Sequence, residues 1–125
     1  MNFVNVTVEE KDGKVSVNEG TFSLEVTDAQ AKILKPYVGK EVTFGIRPED
    51  VTFTDKAEEG KTINGHVSVV EPLGAETHVY VATSTSKVIG RINGTVVPEV
   101  DTPIALVPNM ERAKFFDNET ELTIR

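Results

Sequence analysis

The sequence predicts an all-β fold, a barrel or sandwich of about nine or ten short strands with one short helix. Apolar and polar residues alternate over short runs, which is the period of half-buried strands. Turn signals built from Gly, Pro, Asn and Asp separate these runs almost throughout the chain. The 125 residues are of the size of one domain, so residues 1–125 are interpreted as a single domain.

The chain opens with a predicted strand hairpin and a third strand. Valines alternate with polar residues over 4–8, and the Asp-Gly at 12–13 is a typical hairpin turn. The alternation resumes over 15–17 and again over 22–26. We therefore expect three consecutive antiparallel strands before any helix.

The single predicted helix covers Asp28 to Leu34. Thr27 is a candidate N-cap, and Gln30 stands at the capping-box distance from it. Pro36 makes continuation of the helix costly, so the helix is expected to be short.

Further strands are predicted after the helix, at residues 42–46, 51–53, 63–69, 77–81, 88–92, 104–107 and 122–124. Prolines punctuate the last third of the chain at Pro98, Pro103 and Pro108. Because proline cannot donate a ladder hydrogen bond, these three are expected at strand ends or edges.

The stretch GIRPED, residues 45–50, forms a predicted corner at the end of a strand. Arg47 precedes a proline and is therefore held extended, and Pro48 stops or bends the strand. Glu49 and Asp50 follow as acids do in a first helical turn. The simpler interpretation is a surface ion pair of Arg47, and the functional one is a rigid corner that presents a guanidinium for docking.

Composition and motifs exclude several function classes. The formal charge is −7, opposite in sign to that of most nucleic-acid binders, and no cysteine is present for disulfides or thiolate sites. No apolar run has the length of a membrane span. The sequence has no phosphate-binding loop, no GxGxxG and no GxSxG nucleophile motif, so catalysis and ATP binding are not expected.

A metal site is a minor alternative. His66 and His78 flank Glu71 and Glu76, and imidazoles with carboxylates are common ligands of zinc and similar ions. If the two strands pair antiparallel, the histidines are expected to approach each other. No HExxH spacing is present, and polar residues on the solvent face of a sheet are the more ordinary interpretation.

Four segments in order resemble one known family: MNF at the start, GIRPEDV at 45–51, VVEPLGAETHVYV at 69–81 and ER with FFD at 111–117. Over essentially the whole chain they resemble the C-terminal regulatory domain of sugar-importer ATPases of the maltose-importer type. That resemblance implies an OB-like β-barrel, the TOBE module. It also implies a fragment that begins at an internal methionine and lacks the ATPase domain, where ATP and magnesium would bind.

The resemblance implies a regulatory and dimerisation role rather than catalysis. Such domains contact their pair, the ATPase domains and cytoplasmic regulators, on the inner face of the membrane without inserting into it. The candidate interface residues are Arg47, Pro48, Glu49, Glu71, Gly74 and Glu76. The candidate structural residues are Gly45, Phe116 and Asp117, with Phe116 expected to anchor the core of a final hairpin.

The chain departs from the family pattern at two turns. Asp101-Thr102 replaces a usual glycine before the penultimate strand, and Asn118 follows the F-D turn where a glycine is usual. Asn118 tolerates a left-handed conformation, so the hairpin is expected to persist. A second functional alternative is an oxyanion-binding, molybdate-type barrel that uses residues 83–87, TSTSK.

Overall fold

The computed structural model describes residues 2–54, 56–58, 60–83, 86–93 and 99–124, with the backbone alone at residue 93. Its helix α1 is Asp28–Leu34. Its strands are β1 (Asn2–Lys11), β2 (Lys14–Asn18), β3 (Ser23–Glu25), β4 (Glu41–Ile46), β5 (Val51–Thr54), β6 (Ile63–Pro72), β7 (Glu76–Ala82), β8 (Lys87–Asn93), β9 (Pro103–Pro108) and β10 (Lys114–Asp117).

The strands form two five-stranded antiparallel sheets. The first has the order β10-β4-β1-β2-β3, and the second has the order β5-β9-β6-β7-β8. The second sheet curls so that its first and last strands, β5 and β8, approach each other. A methyl group added at Gly90 of β8 would lie 3.5 Å from Val51 Cγ1 and 3.6 Å from Phe53 Cζ, both on β5. The all-β prediction with one short helix is confirmed.

The alternating valines of the sequence form the shared core. Val4, Val6 and Val8 of β1 are buried and lie on one face, while the residues between them are exposed. Asp12 and Gly13 both have positive φ, 54° and 80°, as a two-residue hairpin turn requires. The predicted hairpin is thus confirmed in position and in turn chemistry.

The helix has the predicted bounds and the predicted cap. The Thr27 hydroxyl accepts a hydrogen bond from the Gln30 N–H at 3.2 Å, and the Gln30 side chain accepts one from the Thr27 N–H at 3.0 Å. Gln30 also donates to the Met110 carbonyl, which fastens the helix to the turn before β10. Among the described residues, no helix is long and apolar enough to cross a membrane.

Two contacts join the sheets at the beginning of the chain and at the corner. The Asn2 side chain donates to the Ile89 carbonyl at 2.9 Å and accepts from the Ile89 N–H at 2.8 Å, so a β1 side chain pairs with the β8 backbone. The corner carries the chain from buried Ile46 of the first sheet to buried Val51 of the second.

The last strand differs from the prediction. Phe115 is the buried ring, opposite Phe44 with the two centroids 5.7 Å apart, and Phe116 is only half-buried on the outer face. The expectation that Phe116 anchors the core was therefore wrong by one position. Two adjacent phenylalanines fit either phase of a strand, and pairing with β4 decides between them.

The segment at 122–124 is not a strand but a single bridge between Thr123 and Phe116. The left-handed residue of this turn is Glu121, with φ of 62°, and not Asn118 as expected. At the other departure from the family pattern, Asp101 itself has a φ of 67°. Pro103 and Pro108 bound β9 as predicted, whereas Pro98 lies outside the described residues.

Candidate functional site

The GIRPED corner is rigid because its backbone is tied on both sides. Arg47 is extended, with φ −80° and ψ 146°, and Pro48–Asp50 form a 3₁₀ turn closed by the Asp50 N–H to the Arg47 carbonyl at 2.9 Å. The Asn109 N–H then donates to the Asp50 carbonyl at 2.8 Å, which holds the turn against the end of β9. The corner therefore presents its side chains from a fixed frame.

Arg47 is exposed and, within the part of the chain that the structure describes, makes no ion pair or hydrogen bond through its guanidinium. The simpler interpretation, a surface ion pair of Arg47, is therefore not seen among the described residues. Glu49 and Asp50 instead line a cleft of about 700 Å³ together with Glu25 and Glu111. Lys61 is the one basic residue among the described lining residues, so four carboxylates leave the cleft with a net negative charge that disfavours anions. Arg47 remains available for an acidic partner.

The β6–β7 hairpin carries the second group of candidate residues. The Leu73 N–H donates to the Glu76 carbonyl at 2.8 Å, and Gly74 has a φ of 89° at the first central position of this turn. A methyl group added at Gly74 would have nothing within 4 Å. Gly74 is therefore present for its backbone conformation, and Glu71 stands exposed on the strand before it.

Charged side chains line the outer face of β7 and β8. The Arg91 guanidinium Nε lies 3.0 Å from Glu76 Oε2, and His78 Nε2 lies 3.8 Å from Glu76 Oε1. His78 is opposite Glu71 on β6 and opposite Arg91 on β8. The hairpin thus presents a mixed-charge row whose centre, Glu76, is about one-third exposed.

Exposed apolar side chains lie beside this charged row. Val69 is 44% exposed and is paired with Tyr80, which is paired in turn with Ile89. Leu73 at the tip of the hairpin is 49% exposed. We call this surface the hairpin face, defined by Val69, Glu71, Leu73, Glu76, His78, Tyr80, Ile89 and Arg91.

The register separates the two histidines that suggested a metal site. His66 is opposite Ala82, four positions along β7 from His78, so the strand pairing does not bring the imidazoles together. No group of three or more metal-ligand side chains occurs among the described residues. Arg91 also forms an ion pair with the Glu76 carboxylate, which a metal ion would need as a ligand.

Of the predicted structural residues, Gly45 and Phe116 lie on the outer face of the first sheet, whereas Asp117 ends β10 opposite the buried Val42. Gly45 is opposite both Phe3 and Lys114 and is buried, although it is on the solvent side of the sheet. Phe3 and Phe116 make an edge-to-face contact beside it, with centroids 5.9 Å apart and planes at 65°. Gly45 is thus covered by aromatic side chains instead of carrying one of its own.

Asp117 closes the final turn as an acceptor. Its Oδ1 accepts from the Glu119 N–H at 2.8 Å and the Thr120 N–H at 3.1 Å, and its Oδ2 accepts from the Tyr37 hydroxyl at 3.0 Å. The N–H groups of Thr120 and Glu119, together with the Tyr37 hydroxyl, lower the pKa of Asp117 below its ordinary value. The same bond to Asp117 raises the pKa of Tyr37.

The segment considered for oxyanion binding is engaged with its own turn. The Thr83 hydroxyl accepts from the Ser86 N–H at 3.0 Å and is also hydrogen-bonded to the Glu19 carboxylate. A carboxylate at this position opposes an anionic ligand. Residues 84 and 85 of the predicted site lie outside the described residues.

Sequence reasoning missed Phe3 as a surface residue, although a signal for it is present. Phe3 stands out of phase with Val4, Val6 and Val8 and is 60% exposed. A large apolar residue on the polar phase of a strand is the pattern that predicts an exposed aromatic side chain.

Comparison with protein families identifies what kind of domain this is. The MalK OB fold domain model matches residues 1–51, and the TOBE domain model matches residues 44–116, more than half of the chain. The chain belongs to the TOBE domain family. The resemblance that the four sequence segments indicated is thereby confirmed, including the OB-like fold.

Relatives of this TOBE chain are subunits of sugar transporters by name. It is 35% identical over its whole length to the multiple sugar-binding transport ATP-binding protein MsmK of Streptococcus mutans. It is 33% identical over 91% of its length to the oligosaccharides import ATP-binding protein MsmX of Bacillus subtilis. The chain spans about a third of the length of these relatives, 34% and 32%. These 125 residues match the OB fold and TOBE domain models and contain no ATPase motif.

A solved structure confirms the fold independently. The cytoplasmic molybdate-binding protein ModG, in a crystal form with molybdate bound, superposes with a TM-score of 0.67 over 91% of this chain and 94% of that one. The sequence identity is 17%, so the likeness concerns architecture alone.

Proposed function

We propose that this TOBE domain is the regulatory and self-association module of the ATP-binding subunit of a carbohydrate importer. The observation that carries the proposal is the end-to-end match to sugar-transport ATP-binding proteins, combined with a hairpin face built for contact. ATP and magnesium would bind the ATPase domain of such a subunit and not this domain. The subunit would act in the cytoplasm, on the inner face of the membrane.

The hairpin face suits contact with a second copy. In a two-fold interface the same surface patch of two copies meets, so the patch must be complementary to itself. The hairpin face meets this requirement, because Val69, Leu73 and Tyr80 provide apolar area and Glu71, Glu76 and Arg91 provide charges of both signs. Around the two-fold axis, an acid of one copy meets a base of the other.

Light scattering of the 125-residue chain over a wide concentration range tests the proposal. We expect a mass that rises from monomer to dimer as the concentration increases. Glu76→Arg leaves Arg91 without its acid and places like charges on both facing patches, which should shift the monomer–dimer midpoint about tenfold upward. The double swap Glu76→Arg with Arg91→Glu should restore the dimer, since each patch keeps one acid and one base.

Controls locate the contact. Glu10→Arg changes the same charge on exposed β1 of the other sheet and should leave the midpoint unchanged. Arg47→Glu reports whether the GIRPED corner takes part in the contact. A strict monomer at all concentrations, or tight ATP binding by this chain, would contradict the proposal.

The oxyanion alternative has less support from the residues. The cleft beside the corner is acidic, and Thr83 lies against the Glu19 carboxylate. Calorimetric titration of the chain with molybdate, tungstate and sulfate separates the two functions. Saturable heat with one anion would favour the alternative, and no heat with any of them would remove it.

A further inference from the structure

The outer face of the first sheet contains a groove of about 590 Å³ between the aromatic pair and the final turn. Phe3 and Phe116 form one end of the groove, Asn5 and Thr43 form its floor, and Asn118 and Glu121 complete the other end. The volume falls in the range of small-molecule sites. We propose that this groove binds a neutral carbohydrate.

The aromatic end presents a fixed, solvent-facing ring. Phe3 is 60% exposed and makes an edge-to-face contact with Phe116, while Gly45, opposite it on β4, carries no side chain. The face of an aromatic ring carries partial negative charge, which attracts the positively polarised C–H groups of a sugar ring. A pre-positioned ring loses little side-chain entropy when a ligand stacks on it.

The floor of the groove leaves hydrogen-bonding capacity unused. Thr43 Oγ1 lies 2.6 Å from Asn118 Oδ1 and 3.2 Å from Asn5 Oδ1. A hydroxyl has a single proton, so Thr43 donates to one of these oxygens and leaves the other as an acceptor. Asn118 Nδ2 is held by Glu41 Oε1 at 3.1 Å, which fixes the orientation of this amide. Such amide and hydroxyl groups match the paired donors and acceptors of sugar hydroxyls.

The charge of the groove selects against anions. Asp117 and Glu121 line it, and none of the described residues that line it is basic. The Asp117 carboxylate already accepts three hydrogen bonds from the protein, so it is not an open cation ligand. A nucleotide or a phosphorylated sugar would meet like charge here, whereas a neutral oligosaccharide would not.

The regulatory meaning of the site rests on the proposed function. In a carbohydrate importer, a groove of this kind on the regulatory domain would report the accumulation of imported sugar. The binding itself depends only on the groove, so it is measurable whether or not the chain self-associates.

Titration of the ¹⁵N-labelled chain with maltotriose and with raffinose, followed by NMR, tests the proposal. We expect saturable shifts of the Phe3, Asn5, Thr43 and Phe116 amide signals, with Kd in the low-millimolar range (~1–10 mM). Glucose 6-phosphate serves as the anionic comparator and should bind at least about tenfold more weakly.

Two variants test the mechanism of binding. Phe3→Leu keeps an apolar cover over Gly45 but removes the flat ring, and it should weaken sugar binding about fivefold to tenfold. Thr43→Val keeps a β-branched strand residue and removes the hydroxyl, with a similar expected loss. Val100→Ala, an exposed apolar residue in the turn before β9, is the matched control and should bind as the parent chain does.

The proposal is overturned if neither sugar gives saturable shifts at about 50 mM, or if the shifts lie on the hairpin face. It is equally overturned if Phe3→Leu binds as tightly as the parent chain, or if glucose 6-phosphate binds as tightly as the neutral sugars. Thermal melting of each variant confirms that it is folded. Sugar binding without a dimer would uphold the groove and contradict the self-association proposal, and the reverse result would do the opposite.

Discussion

The two sheets of this domain follow the same alternation of apolar and polar residues but achieve it differently. In the first sheet the registers of β1, β2, β4 and β10 run without a shift. In the second sheet the register between β6 and β7 shifts between Val67 and Val69. In the unshifted ladders, the alternation of side chains alone is enough to set the register. In the shifted ladder, the register also depends on the backbone hydrogen bonds at the bulge.

Ser68 lies at this bulge. Its hydroxyl is buried and, among the described residues, has no hydrogen-bond partner. The Val67 N–H and carbonyl meanwhile pair with Thr102 and Asp101, in the turn before β9, at 2.9 and 2.7 Å. Backbone pairing thus determines this part of the second sheet, and the side chain at the bulge is left unsatisfied.

The largest expected effect tests the regular sheet. Phe115→Ala should lower the free energy of unfolding by about 3–5 kcal/mol, because it empties a fully buried site beside Phe44. Phe116→Ala, on the outer face, should cost about 1 kcal/mol or less. Urea denaturation of both variants measures the difference, and equal losses would contradict the register of β10.

The next effect tests the join between the sheets. Asn2→Ala should cost about 2–3 kcal/mol, because it removes a buried side chain and leaves the partly buried N–H and carbonyl of Ile89 without their partner. Asn5→Ala changes the same residue type at an exposed position of β1 and should cost less than about 0.5 kcal/mol. Chemical denaturation of the pair is the measurement. Similar small losses for both would mean that the Asn2 contact contributes nothing.

A third prediction separates crowding from backbone strain in the second sheet. The methyl group of Gly65→Ala would lie 2.4 Å from the Ala82 carbonyl oxygen, so the strands must move apart at a cost of about 1–3 kcal/mol. Gly74→Ala meets no atom within 4 Å, and its cost of about 1 kcal/mol comes from the positive φ alone. Gly74→Asn should recover part of that loss and Gly65→Asn none of it, as thermal melting would show.

The smallest expected effect concerns acid stability at the final turn. Because the pKa of Asp117 is lowered in the folded state, its stabilisation is present above the unfolded pKa of about 4 and is lost as pH falls through the lower folded value. Tyr37→Phe removes one of the three donors and brings that pKa closer to ordinary. The variant should therefore lose less stability than the parent chain as the pH falls below about 4.

At alkaline pH, the contribution of the same hydrogen bond to stability is lost as the pH rises instead of as it falls. The pKa of Tyr37 is raised by its bond to Asp117, so that contribution is present below about pH 10 and is lost at higher pH in the parent chain alone. Urea midpoints of the two proteins across the pH range test both expectations. Parallel pH profiles would show that the bond does not affect stability.

Much of the fold was predictable from the sequence because its elements are local. The Asp-Gly turn at 12–13, the capping box of Thr27 and Gln30, and the prolines that bound β9 depend on near neighbours in the chain. The phase of β10 was not predictable, because the four residues KFFD fit either face until β4 pairs with them.

The candidate sites were less predictable than the fold. The pairing of Glu76 with Arg91 joins residues on two strands and depends on the register of β7 against β8. The unpaired state of Arg47 depends on where Glu49 and Asp50 point after the corner, which chain order does not determine. The groove at Phe3 joins the first and the last strands of the chain, and only the sheet order β10-β4-β1 brings them together.

The contact of Asn2 with Ile89 also bears on aggregation. β8 is an edge strand of the second sheet, and an edge offers free N–H and carbonyl groups on which a strand of another chain can assemble. At Ile89 both groups are already taken by one amide side chain. A single asparagine side chain thus occupies one donor–acceptor pair of this edge, which hinders cross-β growth there while the outer face of the same sheet stays open for specific contacts.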